Sequence, residues 1–477
     1  MAELDHYVES PKKAGRFRRA SQTTRLHGML MDQDKMSANW CMGMVFFEND
    51  IGIEPVKEMV RDKVLKMPRF RSAYDFKKNG FRELSDEELD INGYHVVAVE
   101  ETVTMEDIQR DWIGNVYKHF AYDPNKPLWQ FTYFSKLDDG RSMLLTNISH
   151  VIGDGVSQIE VLLRLMDEEK EDPEAEKKTA APKRRKKPKG TYGPLNKAKI
   201  FMGGVFAALA SAAAKPDSPG PLMRKDVTVA SVQKKFAMTE SIALDKLKDI
   251  KQKYKDATLN DIMVALLTLT LKAYLREVEG GEAFLKSKGK VRASFPINTR
   301  SKKAKTTFRD GSPNNNIALG MLQFPLKGNS RTKTVYTVKR KLDRIKLSPM
   351  PIVQLFLART LLKLLSRKAA TELFQEAGNQ TTAMLSNVPG PQHTAYLGGH
   401  KVQDLQFGLY SGNGLYLGLI SYDGKVSCGI CMDDQLGEPN QLAKHWKSEF
   451  EALYEETMKH EGMVPQPKSM LSFLNKI

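Results

Sequence analysis

Apolar positions along the chain follow two periods, which alternate from one end to the other. Residues 42–47 (Met-Gly-Met-Val-Phe-Phe), 129–134 (Trp-Gln-Phe-Thr-Tyr-Phe) and 143–148 (Met-Leu-Leu-Thr-Asn-Ile) read as strands, the last running into Ser149 and His150. Between the first two, Val56, Met59, Val60 and Val64 give helical spacing over 53–66. Beyond a Gly-Asp-Gly turn, Val156, Ile159, Leu162, Leu163 and Met166 share one helical face. The pattern resumes further on. A helix is predicted over 257–275, with Leu259, Ile262, Met263, Leu266 and Leu269 as its stripe. Strands follow over 291–297 and over 316–326, where Pro325 ends the run, then a helix over 352–365. Residues 415–421 and 426–432 alternate, and Tyr422-Asp423-Gly424-Lys425 between them is a hairpin signal. A last amphipathic helix is predicted over 442–458.

This mixture is α/β, and 477 residues are too many for one hydrophobic core. The divide falls where composition changes. Residues 167–176 are dominated by acids, and 177–190 are basic, centred on Lys183-Arg184-Arg185-Lys186-Lys187-Pro188-Lys189. Neither block can bury apolar surface. The expected organisation is therefore an N-terminal domain over 1–176, a basic linker and possible membrane-contact segment over 177–226, and a C-terminal domain over 227–477.

Charge adds a partner class. Lysine and arginine total 73 against 57 acids, a net +16, which favours anionic partners: nucleic acid, a membrane surface or a phosphorylated substrate. No zinc finger, helix-turn-helix or aromatic RNA-binding signature accompanies it, so a nucleic-acid partner is not expected. Cys41, Cys428 and Cys431 are too few for a disulfide framework and read as structural thiols of a reducing compartment. Residues 1–19 lack the apolar core of a signal peptide, and no run is long enough to span a bilayer. The uncharged run 200–214, with Ile200, Phe201, Val205, Phe206 and Leu209, suits either shallow insertion or packing on the protein's own surface. The neighbouring basic block suits a solvated linker, attraction to anionic lipid, or a nuclear localisation signal.

The chemistry concentrates at His150-Val151-Ile152-Gly153-Asp154-Gly155, on a strand-to-helix junction. An imidazole titrates near neutrality and is suited to take a proton from a hydroxyl, provided its backbone is anchored. Gly153 and Gly155 allow a sharp turn and leave room for a substrate. Asp154 is suited to hold the turn through hydrogen bonds or an arginine pair. On spacing alone, His150 could equally end a strand.

Other segments follow in order: Pro127-Leu128-Trp129, Leu259-Asn260-Asp261, Ser294 to Arg300, Asn314-Asn315-Asn316, Phe324-Pro325-Leu326, Ser386-Asn387-Val388-Pro389-Gly390-Pro391 and Tyr396-Leu397-Gly398-Gly399. This ordered set resembles the wax ester synthase/diacylglycerol acyltransferase family, over about residues 30–454. The resemblance implies two chloramphenicol acetyltransferase-like domains with the active site in a tunnel between them. It implies acyl-CoA as co-substrate, no metal and no further cofactor. His150 is then the general base and Asp154 the structural carboxylate of the motif. Asn260 and Asp261, alternatively a helix N-cap, line the tunnel or the interface, as do Asn387, Pro389 and Gly390, alternatively a rigid turn. Arg300 is a candidate partner for Asp154, alternatively a surface arginine. The family motif carries two histidines before x-x-x-Asp-Gly; here Ser149 stands in the first position.

The implied reaction is O-acyl transfer from acyl-CoA to a fatty alcohol, to diacylglycerol, or to both. The rival readings are an acyltransferase for a smaller alcohol and a non-catalytic lipid- or acyl-CoA-binding relative. Thr381 and Thr382 are suggested as oxyanion donors, and Lys302, Lys303, Lys305 and Arg309 as contacts for coenzyme A phosphates. Lipid substrates imply peripheral attachment on the cytoplasmic side of a membrane, the endoplasmic reticulum or a lipid droplet if the source is eukaryotic.

Overall fold

The computed structural model describes residues 16–167 apart from 34–38 and 121, and residues 215–466 apart from 224–232, 288, 299, 301–307, 309–310, most of 349–363, and 411–413. The basic block and the apolar run 200–214 lie outside the described residues, as do Lys302, Lys303, Lys305 and Arg309. So does most of the helix expected over 352–365.

Two large sheets organise the molecule. The N-terminal sheet has six strands, ordered Tyr396–Leu397, His400–Tyr410, Trp40–Phe47, Ser142–Ser149, Trp129–Phe134 and Val96–Val99. Every residue of Trp40–Phe47, Trp129–Phe134 and Ser142–Ser149 is buried. Both faces of the sheet are covered, which is why Trp40–Phe47 reads as a continuous apolar run; Gln130, Thr132, Thr146 and Asn147 are buried polar positions of its neighbours. The second sheet has seven strands, its main path running Ile317–Gln323, Arg292–Asn298, Ala383–Pro389, Leu415–Tyr422, Lys425–Asp433 and Lys234–Met238.

The expected hairpin forms with Asp423 and Gly424 at φ 43° and 72°, the double positive φ of a tight turn between right-twisted strands. The long helix is Leu259–Glu277. Thr258 accepts from the Asp261 backbone N–H while Asp261 accepts from the Thr258 N–H, a reciprocal capping box. The last helix is Pro439–Met458, started one turn earlier than its stripe suggests by a proline in its first turn. The expected helix over 53–66 is α-helical only over Glu54–Met59 and continues as a π turn over Val60–Val64. In Gly155–Leu165, Leu163 faces outward at 41% exposure; Ile159, Val161, Leu162 and Leu165 form the buried stripe.

The sheets do not divide where the chain does. His400–Tyr410, from the C-terminal half, pairs antiparallel with Trp40–Phe47 from Asp404↔Phe46 to Tyr410↔Trp40 and completes the N-terminal sheet. One strand of the C-terminal half thus belongs to the N-terminal sheet. Residues 404–409 alternate, with Leu405, Phe407 and Leu409 set between Asp404, Gln406 and Gly408, but the alternation gives no sign of which sheet the strand joins.

The crossing strand then lies against the second sheet. A Cβ on Gly429 would fall on the Phe407 carbonyl oxygen, so the two backbones touch where only glycine fits. Gly429→Ala is expected to destabilise the protein by about 1–3 kcal/mol, because backbone cannot move aside as a side chain can. Urea unfolding followed by circular dichroism measures it; an unchanged midpoint would refute the close approach.

Candidate active site

The Ser142–Ser149 strand delivers His150 to the start of a short loop, and Asp154 then caps the helix Gly155–Leu165. Asp154 is fully buried. Its Oδ1 accepts from the Ser157 N–H at 3.0 Å, and its Oδ2 accepts from Arg300 Nη2 at 2.7 Å and from the Asn316 N–H at 2.7 Å. Arg300 Nη2 also donates to Ser157 Oγ at 2.9 Å and to the Asn314 carbonyl at 2.7 Å. The expected arginine pair thus exists, and it joins the motif loop to the segment 312–316 of the other half. Asp154 is committed to this junction through both carboxylate oxygens.

Gly153 has ordinary negative φ, and its role is space: a Cβ there would stand 2.8 Å from Pro313 Cβ. Gly155, by contrast, borders open space. Gln158 donates from Nε2 to the carbonyls of Ser149 at 3.3 Å and Gly153 at 2.9 Å, bracing the loop from inside.

His150 is half-buried. Its Nδ1 lies 3.2 Å from Asn315 Oδ1. The neighbouring bonds assign the proton. Asn315 Nδ2 donates to the His150 carbonyl at 2.9 Å, and a carbonyl can only accept, so the amide orientation is fixed with Oδ1 toward the ring. Nδ1 must then carry the hydrogen, which leaves the Nε2 lone pair as the acceptor of the neutral imidazole. Burial lowers the His150 pKa below the ordinary imidazole value; the Asp154 charge and the Asn315 bond oppose this. The ring is accordingly neutral, and able to accept a proton, at neutral pH.

Ser149 is buried and points elsewhere. Its hydroxyl donates toward the Met31 sulfur at 3.9 Å and accepts from the Val151 N–H at 3.3 Å.

The second set of motif residues forms a separate junction. Asn387 Nδ2 donates to Asn260 Oδ1 at 2.7 Å, joining the end of the Ala383–Pro389 strand to the start of the long helix. Asp261 is fully buried, closing the capping box and accepting from Lys346 Nζ at 3.1 Å. Pro389 ends its strand exposed, and the Gly390 N–H donates to the Ser421 carbonyl at 2.9 Å. The N-cap is thus Thr258, with Asp261 as its capping-box partner at the third helical position, and Asn260 and Asp261 are not themselves the cap; the turn at Pro389-Gly390 is a feature of the fold.

The suggested oxyanion donors are not available. Thr381 donates to the Gly378 carbonyl at 3.2 Å and Thr382 to Asp217 Oδ2 at 2.6 Å, in a node with Arg292, whose Nε meets Asp217 Oδ1 at 2.5 Å. All three cysteines are free and buried, and burial raises each thiol, Cys431 to about 12, so none is poised as a nucleophile. Among the described residues no group of three or more His, Cys, Asp or Glu side chains could hold a metal ion, and no helix is long and apolar enough to cross a membrane.

Sequence reasoning missed Asn315 as a ring partner, although it lies in the Asn314-Asn315-Asn316 run; nothing in a triple asparagine says which one faces the base. It also missed His27, which stacks on His150.

Residues 32–263 match the wax ester synthase/diacylglycerol acyltransferase catalytic domain, and residues 314–454 match the C-terminal domain of the same family. The chain belongs to the wax ester synthase/diacylglycerol acyltransferase family. It is an acyltransferase. Wax ester synthase/diacylglycerol acyltransferase 3 of Arabidopsis thaliana is 22% identical over 420 residues, covering 81% of this chain and 84% of the relative. A probable diacylglycerol O-acyltransferase, tgs2, of Mycobacterium tuberculosis is 25% identical over 328 residues, 65% of this chain and 69% of its own. The solved wax ester synthase/diacylglycerol acyltransferase from Marinobacter aquaeolei VT8 superposes with a TM-score of 0.60 at 16% identity, covering 90% of this chain and 98% of that one. The α/β architecture in two halves is thus the two-domain coenzyme A-dependent acyltransferase fold.

Asp154→Asn tests the junction. It leaves the Arg300 guanidinium buried without its counter-charge, and an expected loss of about 3–5 kcal/mol follows. Thermal and urea unfolding measure this; a variant as stable as the parent would show that the ion pair is not a structural tie.

Proposed function

We propose that the protein transfers a long-chain acyl group from acyl-CoA to a fatty alcohol, to diacylglycerol, or to both, with His150 as general base. The observation that carries this reading is the amide of Asn315, which leaves His150 Nε2 as a fixed proton acceptor. Family membership supports the reaction class, and the relatives' names supply the alcohols.

In this mechanism Nε2 accepts the proton of the bound alcohol as its oxygen attacks the thioester carbon. A tetrahedral oxyanion forms, the C–S bond breaks, and the imidazolium returns its proton to the departing thiolate. Atoms and charges balance with no covalent acyl-enzyme and no further cofactor. A positioned base of this kind contributes on the order of 10²–10⁴ in rate. Asp154 and Arg300 act indirectly, by holding the loop that carries the base against the segment that carries Asn315.

The test is ester formation by purified protein given palmitoyl-CoA with hexadecanol, a diacylglycerol or a short alcohol. His150→Ala is expected to abolish product with either lipid alcohol while leaving the unfolding midpoint unchanged. The base must be neutral, so kcat/KM is expected to fall on the acid side, with its midpoint below the ordinary imidazole pKa because burial depresses His150. Near-parental turnover by His150→Ala, or an acid limb above the ordinary value, would overturn the assignment. Product from the short alcohol alone would favour the small-alcohol reading.

Attachment to the cytoplasmic side of a membrane or to a lipid droplet fits the same reading. It is supported by the clustered Lys183–Lys189 charges, next in sequence to the apolar run 200–214, and by the partition of long-chain substrates into lipid. Deleting residues 177–189 is expected to reduce sedimentation with anionic vesicles more than it reduces turnover of detergent-dispersed substrate. Unchanged vesicle binding would remove the block from this role.

A further inference from the structure

The helix Gln22–Gln33 brings a second imidazole to the base. His27 lies over His150 with ring centroids 4.4 Å apart and planes inclined by 26°, a stacked pair. The same helix contacts the motif at neighbouring turns. Thr24 Oγ1 accepts from Asn315 Nδ2 at 3.2 Å, and Met31 meets the Ser149 hydroxyl at 3.9 Å. Positions 24, 27 and 31 are spaced i, i+3, i+7, so one helical face covers Asn315, His150 and Ser149 in turn.

That face is anchored away from the site. Thr24 is fully buried, and Leu26 and Met29 form a small core with Ala370 of the helix Arg367–Asn379. His27 is therefore held from behind, with its ring face stacked on the face of the His150 imidazole. Burial, and then the charge His150 would carry, hold its pKa well below the ordinary value. The titratable groups bearing on the pair are the two imidazoles themselves and Asp154. Two stacked rings cannot both be cationic at this separation, so His27 stays neutral while His150 holds the transferred proton.

We propose that His27 is a positioning residue for acyl transfer: its ring is the platform that fixes the angle of the His150 imidazole and shields one face of the base from water. Asn315 fixes the proton on Nδ1 and rotation about one axis; the stacked ring restrains the other. This inference rests on His150 acting as the base. The role uses the aromatic face of His27 and neither of its nitrogens, and so it predicts which substitutions are tolerated.

The experiment measures kcat, KM for palmitoyl-CoA and the pH profile of kcat/KM for His27→Phe, His27→Leu and His27→Ala beside the parent and His150→Ala. His27→Phe keeps the face and is expected to retain kcat within about threefold, with the parental acid limb. His27→Leu keeps volume without an aromatic face and is expected to lose kcat by on the order of tenfold at unchanged KM. His27→Ala admits water, and its acid limb is expected to move up toward the ordinary imidazole value with a loss of kcat of up to about 10², the scale of a misplaced catalytic group. Unfolding midpoints identify any variant that fails to fold, and the Phe–Leu comparison then carries the test. Equal kcat for Phe and Leu, or a Phe variant as impaired as Ala, overturns the platform. Retained turnover in His150→Ala instead overturns the base assignment, and the platform with it.

Discussion

A single buried carboxylate ties the catalytic loop together. Asp154 accepts from its own helix, from a guanidinium and from a backbone amide of the opposite half, with no exposure to water. Taking such a pair out of water is costly, and its attraction offsets that cost only when the remaining lone pairs are satisfied. Here they are, by three donors from three places in the sequence. The return is geometric rather than energetic. With Asp154 holding Arg300 and the Asn316 amide, the segment 312–316 is pressed onto the loop until Pro313 leaves room only for Gly153. Asn315 is then delivered to the His150 ring, and its amide decides which nitrogen is free. The tautomer of the His150 imidazole is thus a consequence of an ion pair that does not itself touch the ring.

The exchanged strand His400–Tyr410 acts at the scale of the whole molecule as Asp154 acts at the loop. Backbone hydrogen bonds bind it into the sheet that ends in His150, through Trp40–Phe47. Its other side meets the second sheet closely enough to require Gly429. A site assembled from two halves needs them held in register, since an error of one ångström between base and substrate costs about two orders of magnitude in rate. Ladder hydrogen bonds specify register more sharply than a side-chain interface, because a slip of one residue turns every side chain to the opposite face.

Much of this was legible in the sequence, and the boundary follows burial physics. The central strands of the first sheet were readable because both faces are covered, and the hairpin at Asp423-Gly424 because only such residues tolerate the turn. The Asp154–Arg300 pair was legible only as one alternative, beside a surface arginine and a turn held by hydrogen bonds alone. Contacts set by distant chain were not readable. His400–Tyr410 alternates over 404–409, but a period of two cannot say which sheet the strand enters. Thr381 and Thr382 look like free hydroxyls until Asp217 is seen beneath Thr382. The helix Gln22–Gln33 carries Leu26, Met29 and Leu30 at helical spacing, but Thr23, Thr24 and Gly28 weaken its propensity, and packing rather than propensity sustains it.

That helix also accounts for the departure at position 149. The Ser149 side chain is buried to 1% exposure beneath Met31. An imidazole is several heavy atoms larger than a hydroxymethyl, and interiors at crystal-like density do not absorb that volume without displacement. The element that would be displaced is the one carrying His27 over His150 and Thr24 against Asn315. A small residue at 149 and a close-lying helix are therefore two sides of one packing arrangement. With Ser149 in this position the His150 ring keeps its hydrogen-bond partner, its tautomer and an aromatic neighbour. The residue at 149 thus reports on the space around it, while the tautomer of the His150 ring is set by Asn315 and the junction that Asp154 holds.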